Sequence, residues 1–311
     1  HQAVKDMIEF SIIIPVYNEE DNVRELHRRL GTVMERLGTH EIIFVDDGSS
    51  DKSWQIIKDL HERDSNVKGL SFSRNFGHHI AITAGLDHAK GKAIILMDGD
   101  LQDQPEEIPK LLKKFNEGYE LVYGIRKEKK DSRLKRFTSS AFWWFINSFS
   151  GMNIPRNQTL LRIFDRKILD ALNGMRERSR FIHGMIAWTG FKTALQEVEH
   201  APRERGKSKY NAIKLFRLAF NAITSFSTLP LRVATYLGLL SAGVGMLYSF
   251  YFIYKKIFLG IPVLGYASII VAVLFVGGIQ LLMLGIIGEY IGRIYQEVQA
   301  RPIYVLREQV F

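Results

Sequence analysis

Three observations predict an α/β domain built on a mostly parallel sheet, followed by a pair of membrane-crossing helices. From Phe10 to Ile125, short apolar, β-rich runs alternate with stretches of helical periodicity, the pattern of βαβ units. Each run ends in a polar loop, at Tyr17 to Asn22, Asp46 to Asp51, Ser73 to His78 and Asp98 to Asp103. In a parallel sheet such loops gather beyond the carboxyl ends of the strands, where ligands bind. Finally, Val233 to Tyr254 runs 22 residues without a charge and Ile257 to Gly288 runs 32. A helix needs about 20 apolar residues to cross a bilayer.

The elements follow in order. Phe10 to Val16 (FSIIIPV) reads as a buried first strand. Asn18-Glu19-Glu20-Asp21-Asn22 is a polar loop and helix start, with Asn22 or Asp21 as the cap. Val23, Leu26, Leu30, Val33 and Leu37 then recur at helical spacing. Glu41 to Val45 gives the second strand, Trp54, Ile57 and Leu60 the next helix, and Val67 to Phe72 the third strand. Ile80 to Ala89 is a helix, Ala93 to Met97 the fourth strand, and Pro105 to Phe115 a helix with proline in its first turn. Leu121 to Ile125 is a fifth strand.

The fourth strand runs into Asp98-Gly99-Asp100-Leu101-Gln102-Asp103, with Gly99 relieving the backbone between the first two carboxylates. If extended geometry persists, Asp98 and Asp100 project to one side. Two carboxylates with Gln102 two residues on suit a hard divalent cation that also takes phosphate oxygens. An ordinary acidic turn after a buried strand has the same spacing. Neither G-x-G-x-x-G nor G-x-x-x-x-G-K-[ST] occurs.

Beyond Arg126 the charge changes. Arg126 to Arg136 is basic and Phe137 to Phe149 rich in aromatics, either an interfacial amphipathic helix or a surface helix with its rings in the core. A second basic cluster, Arg203 to Tyr210, precedes a helical repeat from Ala212 to Phe226 that reads as a helix lying on the membrane. Tyr236, Tyr248, Tyr251, Tyr254, Tyr266, Tyr290 and Tyr295 crowd the ends of the two spans, as at membrane interfaces. Lys214, Arg217 and Arg232 precede the pair and Arg293, Arg301 and Arg307 follow it, against Lys255 and Lys256 in the connection. The balance places both termini in the cytoplasm. Gly238/Ala242 and Ser241/Gly245 are small-xxx-small pairs that could pack the spans together or against another copy.

The formal net charge of +9 over 311 residues calls for an anionic partner: nucleic acid, a lipid surface or a phosphorylated substrate. The basic residues cluster towards the spans rather than along one face, which argues against nucleic acid. Cysteine is absent, excluding disulfides, thiolate metal sites and cysteine nucleophiles. No secretory signal pattern stands at the start. The divisions expected are a catalytic domain over 1–202, a basic loop and juxtamembrane helix over 203–232, two transmembrane helices over 233–290 and a cytoplasmic tail over 291–311.

SIIIPVYNEE, VDDGSSD, SRNFGHH, MDGDLQD, RGKSKY, SFSTLPLR and GEYIGRIYQEVQARPIY, in this order, resemble the membrane-anchored polyprenyl-phosphate glycosyltransferases. These are inverting GT-A enzymes of family 2, similar to bactoprenol glucosyltransferases and dolichyl-phosphate mannose synthases. The resemblance covers nearly the whole chain. It implies that Pro15, Tyr17, Glu19, Asp46 and Asp47 hold the nucleoside of the sugar donor. Asp98 and Asp100 correspond to the family's Asp-x-Asp, and Gln102 to its further contact with Mg²⁺ or Mn²⁺. The acceptor implied is a polyprenyl phosphate at the cytoplasmic membrane face, and the donor UDP-glucose, with GDP-mannose the alternative. Arg126, Arg133, Arg136, Arg162, Arg205 and Lys209 are the cations that could position its phosphate.

One stretch departs from the pattern. Similar enzymes carry acidic residues just before the arginine, as in D-x-G-D-F-R, where this chain reads Asn157-Gln158-Thr159-Leu160-Leu161-Arg162. The acceptor phosphate is already largely ionised near neutrality, its second pKa being about 6, so it needs positioning more than a base. A processive polysaccharide synthase would carry Q-x-x-R-W, which is absent. A silent membrane scaffold is the remaining alternative, against which the intact Asp98/Asp100 pair counts.

Overall fold

The computed structural model describes residues 8–126, 155, 157–178, 180–199, 229–259 and 265–311. The expectations for Phe137 to Phe149 and Ala212 to Phe226, and the cations Arg133, Arg136, Arg205 and Lys209, lie outside these residues.

Among the described residues, eight strands form one mixed sheet in the order β7-β5-β6-β4-β1-β2-β3-β8. They are β1 (Phe10–Val16), β2 (His40–Asp46), β3 (Val67–Phe72), β4 (Ala93–Leu96), β5 (Leu121–Arg126), β6 (Gln158–Asp165), β7 (Thr193–Val198) and β8 (Leu306–Val310). The centre β4-β1-β2-β3 is parallel, with Ile13 opposite both Ile43 and Leu96. β6 runs antiparallel between β4 and β5, and β8 antiparallel along β3. All seven positions of β1 are buried, as expected of a strand covered on both faces.

Helices α1 (Val23–Met34), α2 (Ser53–Arg63), α3 (His78–His88) and α4 (Ile108–Phe115) make the crossovers, with a 3₁₀ turn over Pro105–Glu107 before α4. The buried stripe Val23, Leu26, Leu30 and Met34 places α1 on the sheet face carrying Ile12, Ile14, Ile95 and Ile163, together with α2 and α4. The helix α3 takes the opposite face, so close to β1 that a Cβ on Gly85 would meet Ile13 Cγ2 at 2.3 Å. There it packs with α5 (Arg166–Gly174) and α6 (Ile182–Trp188). The chain folds outwards from β1 to β2 and β3, then crosses back to β4 on the other side of β1. This order makes the carboxyl ends of β1 and β4 a topological switch point, where a crevice opens.

The sheet extends beyond the strands read from the sequence. The strands β6, β7 and β8 were not legible, and residues from Arg301 onward belong to the sheet unit rather than to a separate tail. The anchorage of that segment is specific. Trp54 Nε1 donates to Glu308 at 2.7 Å, Arg307 donates to the Ser73 carbonyl at 2.9 Å, and the Tyr304 hydroxyl donates to Asp87 at 2.9 Å while its ring stacks on Phe72. β8 thereby covers the β3 edge, which would otherwise offer unpaired backbone groups.

The helices α7 (Leu229–Leu259) and α8 (Tyr266–Val298) form a unit of their own. At 31 and 33 residues they are long and apolar enough to cross a membrane. Their large apolar side chains, among them Leu240, Leu247, Phe258 and Leu281, are exposed, as in helices whose surroundings are apolar rather than aqueous.

Candidate active site

The loops after β1 and β2 are stitched together by their own polar residues. Asn18 takes a left-handed φ of 56°, and its side-chain oxygen accepts from the Ser50 amide at 2.9 Å. The amides of Asn18 and Glu19 donate to the hydroxyls of Ser49 and Ser53, and that of Glu20 to Asp51. The adjacent aspartates at the end of β2, Asp46 and Asp47, then divide their work. Asp46 is buried and accepts from the Ser49 amide and the Ser71 hydroxyl, which braces the loop from below. Asp47 turns towards the third loop and accepts from the amides of Phe76 and Gly77, at 2.7 and 3.0 Å. Gly48 permits this approach: its φ is +71°, and a Cβ there would meet the Arg74 carbonyl carbon at 2.5 Å.

The loop after β4 closes the arrangement. The strand ends at Leu96, so a turn rather than strand alternation carries Asp98 and Asp100. The backbone relief falls elsewhere than expected. Leu101, not Gly99, adopts the left-handed conformation, with φ 61°. Gly99 serves close approach instead, its Cβ position lying 3.0 Å from the Pro15 carbonyl oxygen. Asp100 accepts from the Gln102 amide at 3.1 Å and from the Gln102 carboxamide, so Gln102 is placed against Asp100 and orients it.

These loops enclose a cleft of about 300 Å³. Of the residues expected to bind the donor, Pro15, Tyr17, Glu19 and Asp47 line it, and Asp98 and Asp100 form the facing wall. Asp46 does not line it. Val16, Asn75, Gly77, His78 and Gly99 complete the lining, and none of them was among the expected site residues. The signals in the sequence for Asn75, Gly77 and His78 were the polar punctuation after β3 and the SRNFGHH motif, neither of which assigned them a role.

The wall is strongly acidic. Asp103, the third carboxylate of this turn, is buried and accepts from the Leu161 amide at 2.9 Å. Asp98 opens to the cleft with its side chain 38% exposed, and its carboxylate lies 3.7 Å from His78 Nε2. Burial, then the charges of Asp103 and Asp100, push its pKa up to about 8, against the opposing pull of Arg162 and Arg126. Such crowding of carboxylates is relieved by a cation. Among the described residues no three His, Cys, Asp or Glu side chains form a metal-binding group. The protein thus offers the pair Asp98 and Asp100, which fits a hard cation that completes its shell with phosphate oxygens and water.

The shift of Asp98 fixes the sign of a pH effect. The unfolded chain loses this proton near its ordinary value of about 4, so between about pH 4 and pH 8 the folded protein holds a proton that the unfolded chain has released. The Asp98 contribution to stability therefore falls as pH rises through that window. Asp98→Asn is expected to show a smaller loss of Tm than the parent between about pH 5 and pH 8 in metal-free buffer. Parallel Tm profiles for the two proteins would contradict the assignment.

The expected acceptor cations separate. Arg126 ends β5, exposed, and its amide donates to the Asn157 carbonyl at 2.9 Å. Arg162 is no solvated cation: it is 0% exposed in the middle of β6. The apolar residues of the divergent stretch, Leu160 and Leu161, are buried beside it.

Comparison with known proteins places this geometry. Residues 11–176 match glycosyl transferase family 2, and residues 229–294 match the GtrB C-terminal hairpin. An uncharacterized glycosyltransferase of Synechocystis sp. (strain PCC 6803) is 44% identical over 303 residues, covering 97% of this chain and 95% of that protein. An uncharacterized glycosyltransferase of Bacillus subtilis (strain 168) is 42% identical over the same length, with 97% and 94% covered. The SfII prophage-derived bactoprenol glucosyl transferase of Shigella flexneri is 41% identical, with 97% and 98% covered.

Proposed function

The chain belongs to glycosyl transferase family 2 and has the GT-A fold; from that premise we propose that it transfers one sugar from a nucleotide-sugar to a polyprenyl phosphate. The observation that carries this reading is the cleft at the switch point, where Pro15, Tyr17, Glu19 and Asp47 face Asp98 and Asp100. Its neighbours in the sequence support it: the hairpin match over 229–294, and relatives that include bactoprenol glucosyl transferases along 97% of the chain. UDP-glucose is the donor this likeness favours.

In this reading Tyr17, half exposed at the rim, offers a face to the nucleobase, and the Asp47 loop sets the width of the nucleoside site. Asp98 and Asp100 would hold Mg²⁺ or Mn²⁺ against the diphosphate, where the ion would neutralise charge on the departing nucleoside diphosphate. Gln102 keeps the Asp100 carboxylate aimed. An acceptor phosphate oxygen attacks the anomeric carbon as the bond to the diphosphate oxygen breaks, and the configuration inverts. The dianionic phosphate needs no base at this step, consistent with Asn157 standing where similar enzymes carry a carboxylate.

The two apolar helices suit a membrane hairpin. The return of β8 to the sheet formed by β1 to β7 favours an even number of crossings, with the catalytic unit and the C-terminal strand on the same, cytoplasmic side. The test is a donor panel: purified full-length protein, polyprenyl phosphate, Mg²⁺ or Mn²⁺, and labelled UDP- and GDP-sugars. A lipid-linked monosaccharide from UDP-glucose, lost on chelation, is expected. Product from none of the donors would overturn the reading.

A further inference from the structure

Six buried polar side-chain atoms of the described residues have no hydrogen-bond partner. They are the Tyr123 hydroxyl, Arg162 Nη1, Gln158 Oε1, Arg180 Nε and the Nδ1 atoms of His79 and His183. The register sets Arg162 between Leu96 of β4 and Tyr123 of β5, and the guanidinium lies 4.9 Å from the Tyr123 ring centre. The two imidazoles pack edge to face at 5.5 Å, His79 from α3 and His183 from α6, the helices on that side of the sheet. The charge of Arg162 bears on His78, His79 and His183, and on Asp98.

Buried polar groups are almost always paired, and a buried charge without a counter-charge is costly. Arg162 is 0% exposed, yet its bonds go to the neutral carbonyls of Leu160 and Thr159, at 3.0 and 2.8 Å, and Nη1 finds none among the described residues. The Tyr123 hydroxyl, on a residue 1% exposed, is in the same position. The cluster is rich in donors. Burial also holds His79 down to about 4 and His183 well below its usual value, so both are neutral at pH 7 and add N–H donors without repelling Arg162. Asp103 and Asp98 already act on Arg162 electrostatically, but Nη1 and the Tyr123 hydroxyl have no acceptor among the described residues, and an anion with several acceptor oxygens would satisfy both.

Its place selects the anion. The nucleotide cleft occupies the β1–β2 flank of Asp98, whereas Arg162 and Tyr123 lie on the β6–β5 flank, with His79 and His183 supplied by α3 and α6. Inverting displacement needs the nucleophile opposite the leaving diphosphate. We propose that Tyr123, Arg162, His79 and His183 form a phosphomonoester cradle that receives the acceptor phosphate from the side of Asp98 opposite the nucleotide. The inference rests on the transferase reading and adds three residues to it. Arg162 supplies the charge, and the tyrosine and the imidazoles supply directed hydrogen bonds.

The experiment measures binding separately from turnover. Full-length protein in detergent is titrated calorimetrically with a ten-carbon prenyl monophosphate, the matching prenyl alcohol and inorganic phosphate. Tyr123→Phe removes one unpartnered hydroxyl, so Tm should hold or rise. The same change should raise Kd for the prenyl monophosphate about tenfold, the worth of a hydrogen bond to a charged group. His183→Gln should act in the same direction, and KM for the nucleotide-sugar should stay within about twofold in both. Unchanged Kd in both variants would overturn the cradle, and inorganic phosphate binding as tightly as the prenyl monophosphate would overturn its assignment to a lipid acceptor. If the parent protein makes no product yet its prenyl monophosphate binding weakens in Tyr123→Phe, the transferase reading falls and the cradle stands.

Discussion

Asp100→Ala is expected to lower kcat by at least about 10²-fold, the cost of removing one charge-stabilising group from a site of this type, with little change in Tm. The two consequences have separate causes. Asp100 is part-exposed on a turn, and the Gln102 backbone amide and carboxamide that donate to it can turn to water when the carboxylate is gone. Little folding energy is at stake. Turnover differs, because on the proposed reading the cation that Asp100 would hold offsets a charge that grows only as the diphosphate departs. Loss of an interaction confined to the transition state lowers kcat and kcat/KM together. Asp100→Asn separates geometry from charge, since its side-chain oxygen can still accept from the Gln102 amide. It should be nearly as inactive as the alanine variant. Initial rates of lipid-linked sugar formation at saturating donor and divalent cation measure both, and turnover retained in either variant would remove Asp100 from the reaction.

The half of the sheet that builds this site was legible because its signals are local. Five strands and the four helices between them announce themselves by continuous apolar runs and three- to four-residue spacing, since each is buried on faces that the sequence alone decides. Asp98 and Asp100 were legible for the same reason, lying directly after a buried strand. The rest depends on contacts between distant segments. β8 reads Leu-Arg-Glu-Gln-Val, polar enough to pass for a tail, and becomes a strand because β3 has an open edge and Trp54 and Lys58 await Glu308. Arg162 stands in the sequence as one of six cations expected to position the acceptor phosphate. Only the antiparallel placement of β6 between β4 and β5 shows it to be buried beneath the site. His79 and His183 are 104 positions apart in sequence (183 − 79), and no spacing rule could have joined them.

Asp47→Ala tests the opposite side of the cleft and should damage binding and folding together. A single carboxylate here ties the loop after β2 to the loop after β3 through the amides of Phe76 and Gly77. Its pKa is raised by burial, with those two amides pulling the other way, so the hydrogen bonds offset only part of the cost of keeping the charge inside. Nature retains a buried carboxylate at such cost where the geometry it imposes is used. Alanine would strip two backbone donors of their acceptor, about 1–3 kcal/mol for each that stays buried. The loop carrying Asn75, Gly77 and His78 would then drift from the cleft, and KM for the nucleotide-sugar should rise at least tenfold, about 1.4 kcal/mol of binding. Asp47→Asn keeps one acceptor and should fall between the two. Gly48→Ala reaches the same junction by another route, because a Cβ there collides with the Arg74 backbone. Equal donor KM in the parent, Asp47→Ala and Gly48→Ala would mean that this junction does not shape the nucleotide site. A rise in donor KM while prenyl monophosphate binding stays unchanged would assign the β2–β3 loops to the nucleotide and leave the far side of Asp98 to the acceptor.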